Sequence, residues 1–94
     1  MPSNLPETAF ALSIDIYPNP VNDYAFLNFY LDSPKNLQIA LMYMNGLQTT
    51  LSSRHYGAGE NVVNLDFSDK NTGIYLLVIF ENGEMIYSKK VVKY

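Results

Sequence analysis

His55 is the only histidine in the chain, and Ser52 and Ser53 stand just before it. A Ser–His hydrolase needs the imidazole oriented by a carboxylate and set against the hydroxyl it deprotonates. The segment Ser-Arg-His-Tyr-Gly matches no recognisable arrangement of that kind and reads as a surface histidine at a strand end or loop. Asp66, Ser68, Asp69 and Asn71 come nearest to a calcium loop, but their spacing fits no standard loop, and Asp and Asn serve equally well to turn a chain. Asp15, Asp23 and Asp32 could supply the paired carboxylates of a glycosidase, yet each sits beside a turn with no aromatic cleft to hold a sugar ring. The absence of cysteine removes disulfides, thiolate zinc and a cysteine nucleophile. No catalytic residue, metal or cofactor is expected. Tyr24, Phe26 and Tyr30 share one strand face and could form a platform on which sugars stack, although a second core-facing surface is the favoured reading.

These residues are carried by short segments with strand periodicity. No stretch of ten or more residues shows apolar positions at helical spacing. Ser13 to Tyr17 predicts a first strand, stopped by Pro18-Asn19-Pro20. Tyr24 to Leu31 alternates two faces and ends at Asp32-Ser33-Pro34. Leu37 to Met44 alternates likewise, and Asn45-Gly46 supplies the positive φ angles of a tight hairpin into Leu47 to Ser53. After a loose stretch from His55 to Glu60, Val62 to Phe67 predicts a fifth strand and Asp69 to Gly73 a turn. Ile74 to Phe80 is apolar on both faces, as suits a central strand, and Asn82-Gly83 turns the chain into Met85 to Val92.

Short strands separated by turns roughly every 8–12 residues predict an all-β fold, a seven-stranded antiparallel immunoglobulin-like β-sandwich. Only the architecture is implied, because the Cys, Trp, Cys framework of true immunoglobulin domains is missing. The expected core comprises Leu27, Phe29, Ile39, Leu41, Leu65, Ile74, Leu76 and Val78, joined by Ile79 if both faces of its strand are covered. Tyr75 is either a tyrosine corner, its hydroxyl bonded back to nearby backbone, or an ordinary packed tyrosine.

Composition sets the outer bounds. At 94 residues the chain is one domain, and with 48% hydrophobic and 16% charged residues it should fold. A domain this small buries somewhat over ~60% of its unfolded surface, which leaves little for a deep catalytic pocket. No apolar run approaches the roughly 20 residues of a membrane helix, so membrane insertion is not expected. Residues 1–12 lack the form of a signal peptide, so an export address would lie elsewhere. Residues 1–88 hold nine acids against Lys35, Arg54 and Lys70, and the remaining cations are Lys89, Lys90 and Lys93. An acidic body with one basic end does not suit nucleic acid.

The order of these signals is more specific than any one of them. Ile16-Tyr17-Pro18-Asn19-Pro20, a strand, a hairpin at Gly46, Gly57-Ala58-Gly59-Glu60-Asn61, Thr72-Gly73-Ile74-Tyr75 and a last strand ending Lys89-Lys90-Val91-Val92-Lys93 together resemble the C-terminal sorting domain, type A, of type IX secretion cargo. The resemblance runs from Ile14 to Tyr94, with Tyr43 standing where the family often has Asp, three residues before the hairpin glycine. It implies a non-catalytic secretion signal, residues 13–94, behind a linker, residues 1–12, covalently joined to an N-terminal cargo. The implied partners are the outer-membrane type IX translocon, its shuttle protein and a sortase-like signal peptidase. The implied destination is secretion or the cell surface, through the periplasm of a Gram-negative bacterium. The motif positions carried over are Pro18, Asn19, Pro20, Gly46, Gly73, Ile74, Tyr75, Lys89, Lys90, Val91, Val92 and Lys93. A carbohydrate-binding or adhesion module of a surface protein is the alternative from another class.

Overall fold

The computed structural model describes residues 11–94. The expectations for residues 1–10 lie outside the described residues. Seven strands follow one another: β1 (Ala11–Tyr17), β2 (Tyr24–Leu31), β3 (Lys35–Met42), β4 (Gln48–Tyr56), β5 (Gly59–Asp66), β6 (Gly73–Glu81) and β7 (Glu84–Lys93). They form a three-stranded sheet in the order β1-β2-β5 and a four-stranded sheet in the order β4-β3-β6-β7, with every strand pair antiparallel. This is the all-β sandwich that the turn spacing predicts.

The core lies between the sheets. Ala25, Leu27, Phe29 and Leu31 of β2 meet Leu37, Ile39 and Leu41 of β3 and Leu77 and Ile79 of β6 in one buried cluster. Fully burying such a side chain is worth about 1.5–3 kcal/mol, so slipping β2 by one residue would forfeit several of these gains at once. Both faces of β2 are apolar enough to be buried, but only one is free of polar atoms. The structure turns Tyr24, Phe26 and Tyr30 outward, 54%, 40% and 41% exposed, so the second-core expectation for this face is corrected. The face that carries hydroxyls and the Asn28 amide goes to water because those groups would lose hydrogen bonds inside.

A second correction concerns β6. Leu27, Phe29, Ile39, Leu41, Leu65, Val78 and Ile79 are buried as expected, whereas Ile74 is 46% exposed and Leu76 half-buried. The inward phase is Tyr75, Leu77 and Ile79. Tyr75 settles it: its hydroxyl donates to the Asn71 carbonyl oxygen at 2.5 Å, and its ring packs edge-on against Tyr43 and Phe67, with centroids 5.3 and 6.1 Å away. Tyr75 is therefore a tyrosine corner, and that anchor sends Ile74 to the opposite face.

The connections also depart from the sequence reading in two places. β4 runs on to Tyr56 and β5 starts at Gly59, so only Gly57 and Ala58 lie outside strands where a longer loose stretch was expected. Tyr56 anchors this end of β4, with its ring buried against Phe29 and its hydroxyl bonded to Ser52. The β3–β4 hairpin is not a two-residue turn of positive φ angles. The Gly46 amide donates to the Tyr43 carbonyl oxygen and only Gly46 has positive φ, +89°, as in a three-residue loop closed by a left-handed glycine. Asn45 Oδ1 accepts from the Leu47 amide at 3.1 Å and caps the turn that Tyr43 does not. Asn82 and Gly83 both have positive φ, as expected of the tight β6–β7 turn.

Candidate functional site

The motif segments converge on the last strand. Along one side of β7, β6 pairs Gly73 with Lys93, Ile74 with Val92 and Tyr75 with Val91. Along the other side lies the connection between β1 and β2. Asn19 Nδ2 donates to the Lys90 carbonyl oxygen at 3.1 Å, and Asn19 Oδ1 accepts from the Val92 amide at 3.1 Å. Two residues on, the Val21 amide donates to the Val92 carbonyl oxygen at 2.7 Å and the Tyr94 amide donates to the Val21 carbonyl oxygen at 2.9 Å. Val21 thus makes a short parallel bridge to Lys93, and its side chain is fully buried.

The physical reason is simple. A primary amide carries a donor and an acceptor in the arrangement of a peptide group, so the Asn19 side chain stands in for one residue of an extra strand. Pro18 and Pro20 on either side cannot donate to a ladder, which keeps the segment from extending further as a strand. The edge of β7 over residues 90–94 is consequently occupied from within the chain. A partner adding a strand there would first have to displace Asn19 and Val21.

The basic positions divide into two kinds. Lys93 is only 6% exposed and its Nζ donates to the Tyr94 carbonyl oxygen at 2.9 Å, so the basic end of the chain is not uniformly exposed. Lys89 and Lys90 are exposed. Among the described residues, Lys35 pairs with Glu81, Lys70 pairs with Asp69, and Arg54 lies over the Tyr56 ring. Lys89 and Lys90 are the two cations without a partner within that set.

Val91 is buried in the core and Val92 half-buried on the outer face. Gly46 sits in its hairpin, which reaches the start of β6 through the Tyr43–Tyr75 ring contact. Asn19, Gly46, Tyr75, Val91 and Lys93 are thus accounted for by the fold, while Ile74, Lys89 and Lys90 face solvent. Val21 was missed by sequence reasoning; its only local signal is an apolar residue directly after the second proline.

The other candidate groups do not assemble. His55 Nδ1 lies 2.9 Å from Asn36 Oδ1 across the β3–β4 pair, and the Ser52 hydroxyl is bonded to Tyr56 instead. The Asp66 carboxylate accepts from the Ser68 amide and hydroxyl at 2.9 and 2.6 Å, a turn-forming arrangement that holds its pKa below the ordinary carboxylate value. On the outer face of the three-stranded sheet, Asn28 Nδ2 donates to Glu60 Oε2 at 3.0 Å between the exposed rings of Phe26 and Tyr30.

Seven antiparallel strands in two packed sheets define an immunoglobulin-like sandwich. An immunoglobulin-like protein from Pseudomonas aeruginosa has a similar structure, with a TM-score of 0.52 at 11% identity over 76% of this chain and 71% of that one. An alkylpurine DNA glycosylase from Pseudomonas fluorescens gives a TM-score of 0.49 at 17% identity, covering 86% of this chain and 29% of the glycosylase. No curated protein matches in sequence. The family model of the secretion system C-terminal sorting domain matches residues 15–94. The chain belongs to that family, the sorting signals of type IX secretion, whose cargo proteins are secreted or placed on the cell surface.

Proposed function

We propose that residues 13–94 are a non-catalytic address that directs a covalently linked N-terminal cargo across the outer membrane, with residues 1–12 as the linker, the last two of which, Ala11 and Leu12, already run in β1. The cargo reaches the periplasm by a separate signal peptide. There the domain is read by the type IX translocon and its shuttle protein, and a sortase-like peptidase removes it and attaches the cargo to surface lipopolysaccharide. The observation that carries this reading is the convergence of Pro18–Pro20, Gly73–Tyr75 and Lys89–Lys93 on one strand. A machine that serves many cargos needs one feature that is independent of cargo sequence, and a strand end bolted in place by its own chain offers it.

The test is a reporter that carries a signal peptide and residues 13–94 in a type IX-competent host. The wild-type fusion should reach the surface or medium. Changing the exposed Lys89 and Lys90 to Gln removes two charges at a cost within roughly 0.5 kcal/mol per site. That variant should stay folded and accumulate in the periplasm. Export at the wild-type level would leave these lysines as edge protection alone.

A second reading has an observation of its own. Tyr24, Phe26 and Tyr30 form an exposed row along β2, with the Asn28–Glu60 pair set among them. Aromatic faces with adjacent amide and carboxylate groups suit the apolar faces and hydroxyls of sugars. A glycan array probed with the purified chain separates this adhesion reading from sorting.

A further inference from the structure

The outer face of the four-stranded sheet carries an apolar and basic patch beside the occupied edge of β7. Ile74 and Val92 are direct cross-strand partners, and Leu76 and Lys90 form the next pair on the same face. Ile74 is 46% exposed at the start of β6, where it pairs with Val92 but lies beyond the end of the β3 ladder at Leu76, while Leu76 and Val92 are half-buried. Beside Ile74 a shallow depression of about 290 Å³ opens between the β3–β4 hairpin and the start of β6, lined by Met44, Thr72 and Gly73 among others. Lys90 borders the patch, and Lys89, one residue earlier, faces the other side of the strand.

From this arrangement, and resting on the sorting reading above, we infer that the Ile74, Leu76, Lys90 and Val92 face is the docking surface for a protein of the export machinery, one that presents carboxylates around an apolar centre. Charge argues for the carboxylates. Lys89 and Lys90 are the cations left unpaired among the described residues, on a body whose other residues are net acidic, so an acidic partner gains attraction here that the remaining surface would refuse. The covered edge argues for the face. Asn19 and Val21 already use the outward hydrogen-bonding groups of Lys90 and Val92, so side chains, not an added strand, are what this end of β7 offers a partner. An anionic lipid surface fits less well, because lipid recognition takes clusters of about 4–8 basic residues and this face carries only Lys90, with Lys89 beside it on the other side of the strand. Self-association through the patch would gather the same unpaired lysines of two copies into one interface.

The test uses the 94-residue chain fused behind a signal peptide and reporter in a type IX-competent host, with Ile74→Gln and Lys90→Glu as separate variants. Val62→Gln, exposed on the opposite sheet, is the control. Thermal circular dichroism of each purified variant establishes that it is folded at the growth temperature. Both face variants should lower surface reporter by about tenfold or more, as loss of a central interface residue does, while the control is exported like wild type. If the folded face variants are exported as well as wild type, the inference is overturned and the sorting reading stands. If all three variants fall equally, the face is not special and the inference also fails. If wild type is retained, the sorting reading fails and the inference goes with it. Binding of the purified chain to vesicles containing anionic phospholipid, abolished by Lys90→Glu, would replace the protein partner with a lipid surface.

Discussion

The side-chain amide of Asn19 accepts a hydrogen bond from the backbone amide of Val92, 73 residues later, and donates one to the Lys90 carbonyl oxygen. A segment that reads in sequence as a turn signal is in the folded protein the cover of the last strand. This joins the first and last motif segments into one unit, with β6 on the other side of β7. It also means that the basic end of the chain cannot be treated as a free tail.

Asn19→Ala removes both bonds. Each exposed hydrogen bond nets about 0.5–1.5 kcal/mol, so the loss of two should be about 1–3 kcal/mol. A change of about 1 kcal/mol moves the Tm of a domain this size by roughly 4–8 °C. Thermal denaturation should show the drop, and hydrogen exchange should quicken at the Val92 amide. Unchanged exchange there would mean the contact does not persist in solution.

Tyr75→Phe keeps the ring contacts with Tyr43 and Phe67 but leaves the Asn71 carbonyl oxygen without its donor. The expected cost is about 1–3 kcal/mol. Tyr43→Phe is the comparison, because the Tyr43 hydroxyl makes only a long, 3.3 Å contact with Thr49. Chemical denaturation should rank Tyr75→Phe as clearly the more damaging; equal midpoints would contradict the corner.

Gly73 has φ of +157°, and a Cβ built there meets nothing within 4 Å. Gly73→Val should therefore cost about 1 kcal/mol or more through backbone conformation, with no clash to relieve. Gly57 has no such φ and equally open surroundings, so Gly57→Ala should be neutral or slightly stabilising. Matching melting temperatures for the two variants would remove the conformational argument.

Asp66 gives a pH dependence with a definite sign. Its folded pKa is lowered, first by the Ser68 hydroxyl and then by the Ser68 amide. A depressed carboxylate contributes stability above its unfolded value of about 3.9, and the contribution is lost as pH falls through the lower folded value. Asp66→Asn should flatten the acid limb of the stability curve below about pH 4. Parallel acid limbs for the two proteins would count against it.

Much of this molecule is legible along the chain because the signals are local. Strand alternation, the Asn82-Gly83 turn and the possibility of a tyrosine corner four residues beyond Asn71 all depend on neighbours in sequence, and so do the strand count and the sandwich that follows from it. Which phase faces the core is another matter. Ile74 to Phe80 is apolar at every position and β2 has two apolar faces, so alternation alone leaves two choices, and the opposing sheet with the Tyr75 anchor takes one of them. The occupied edge of β7 and the burial of Lys93 depend on residues more than seventy positions apart meeting at one strand. A pattern read along the chain records periodicity but not which distant edge a side-chain amide will pair, because that partner exists only once β6 and β7 have closed the sheet.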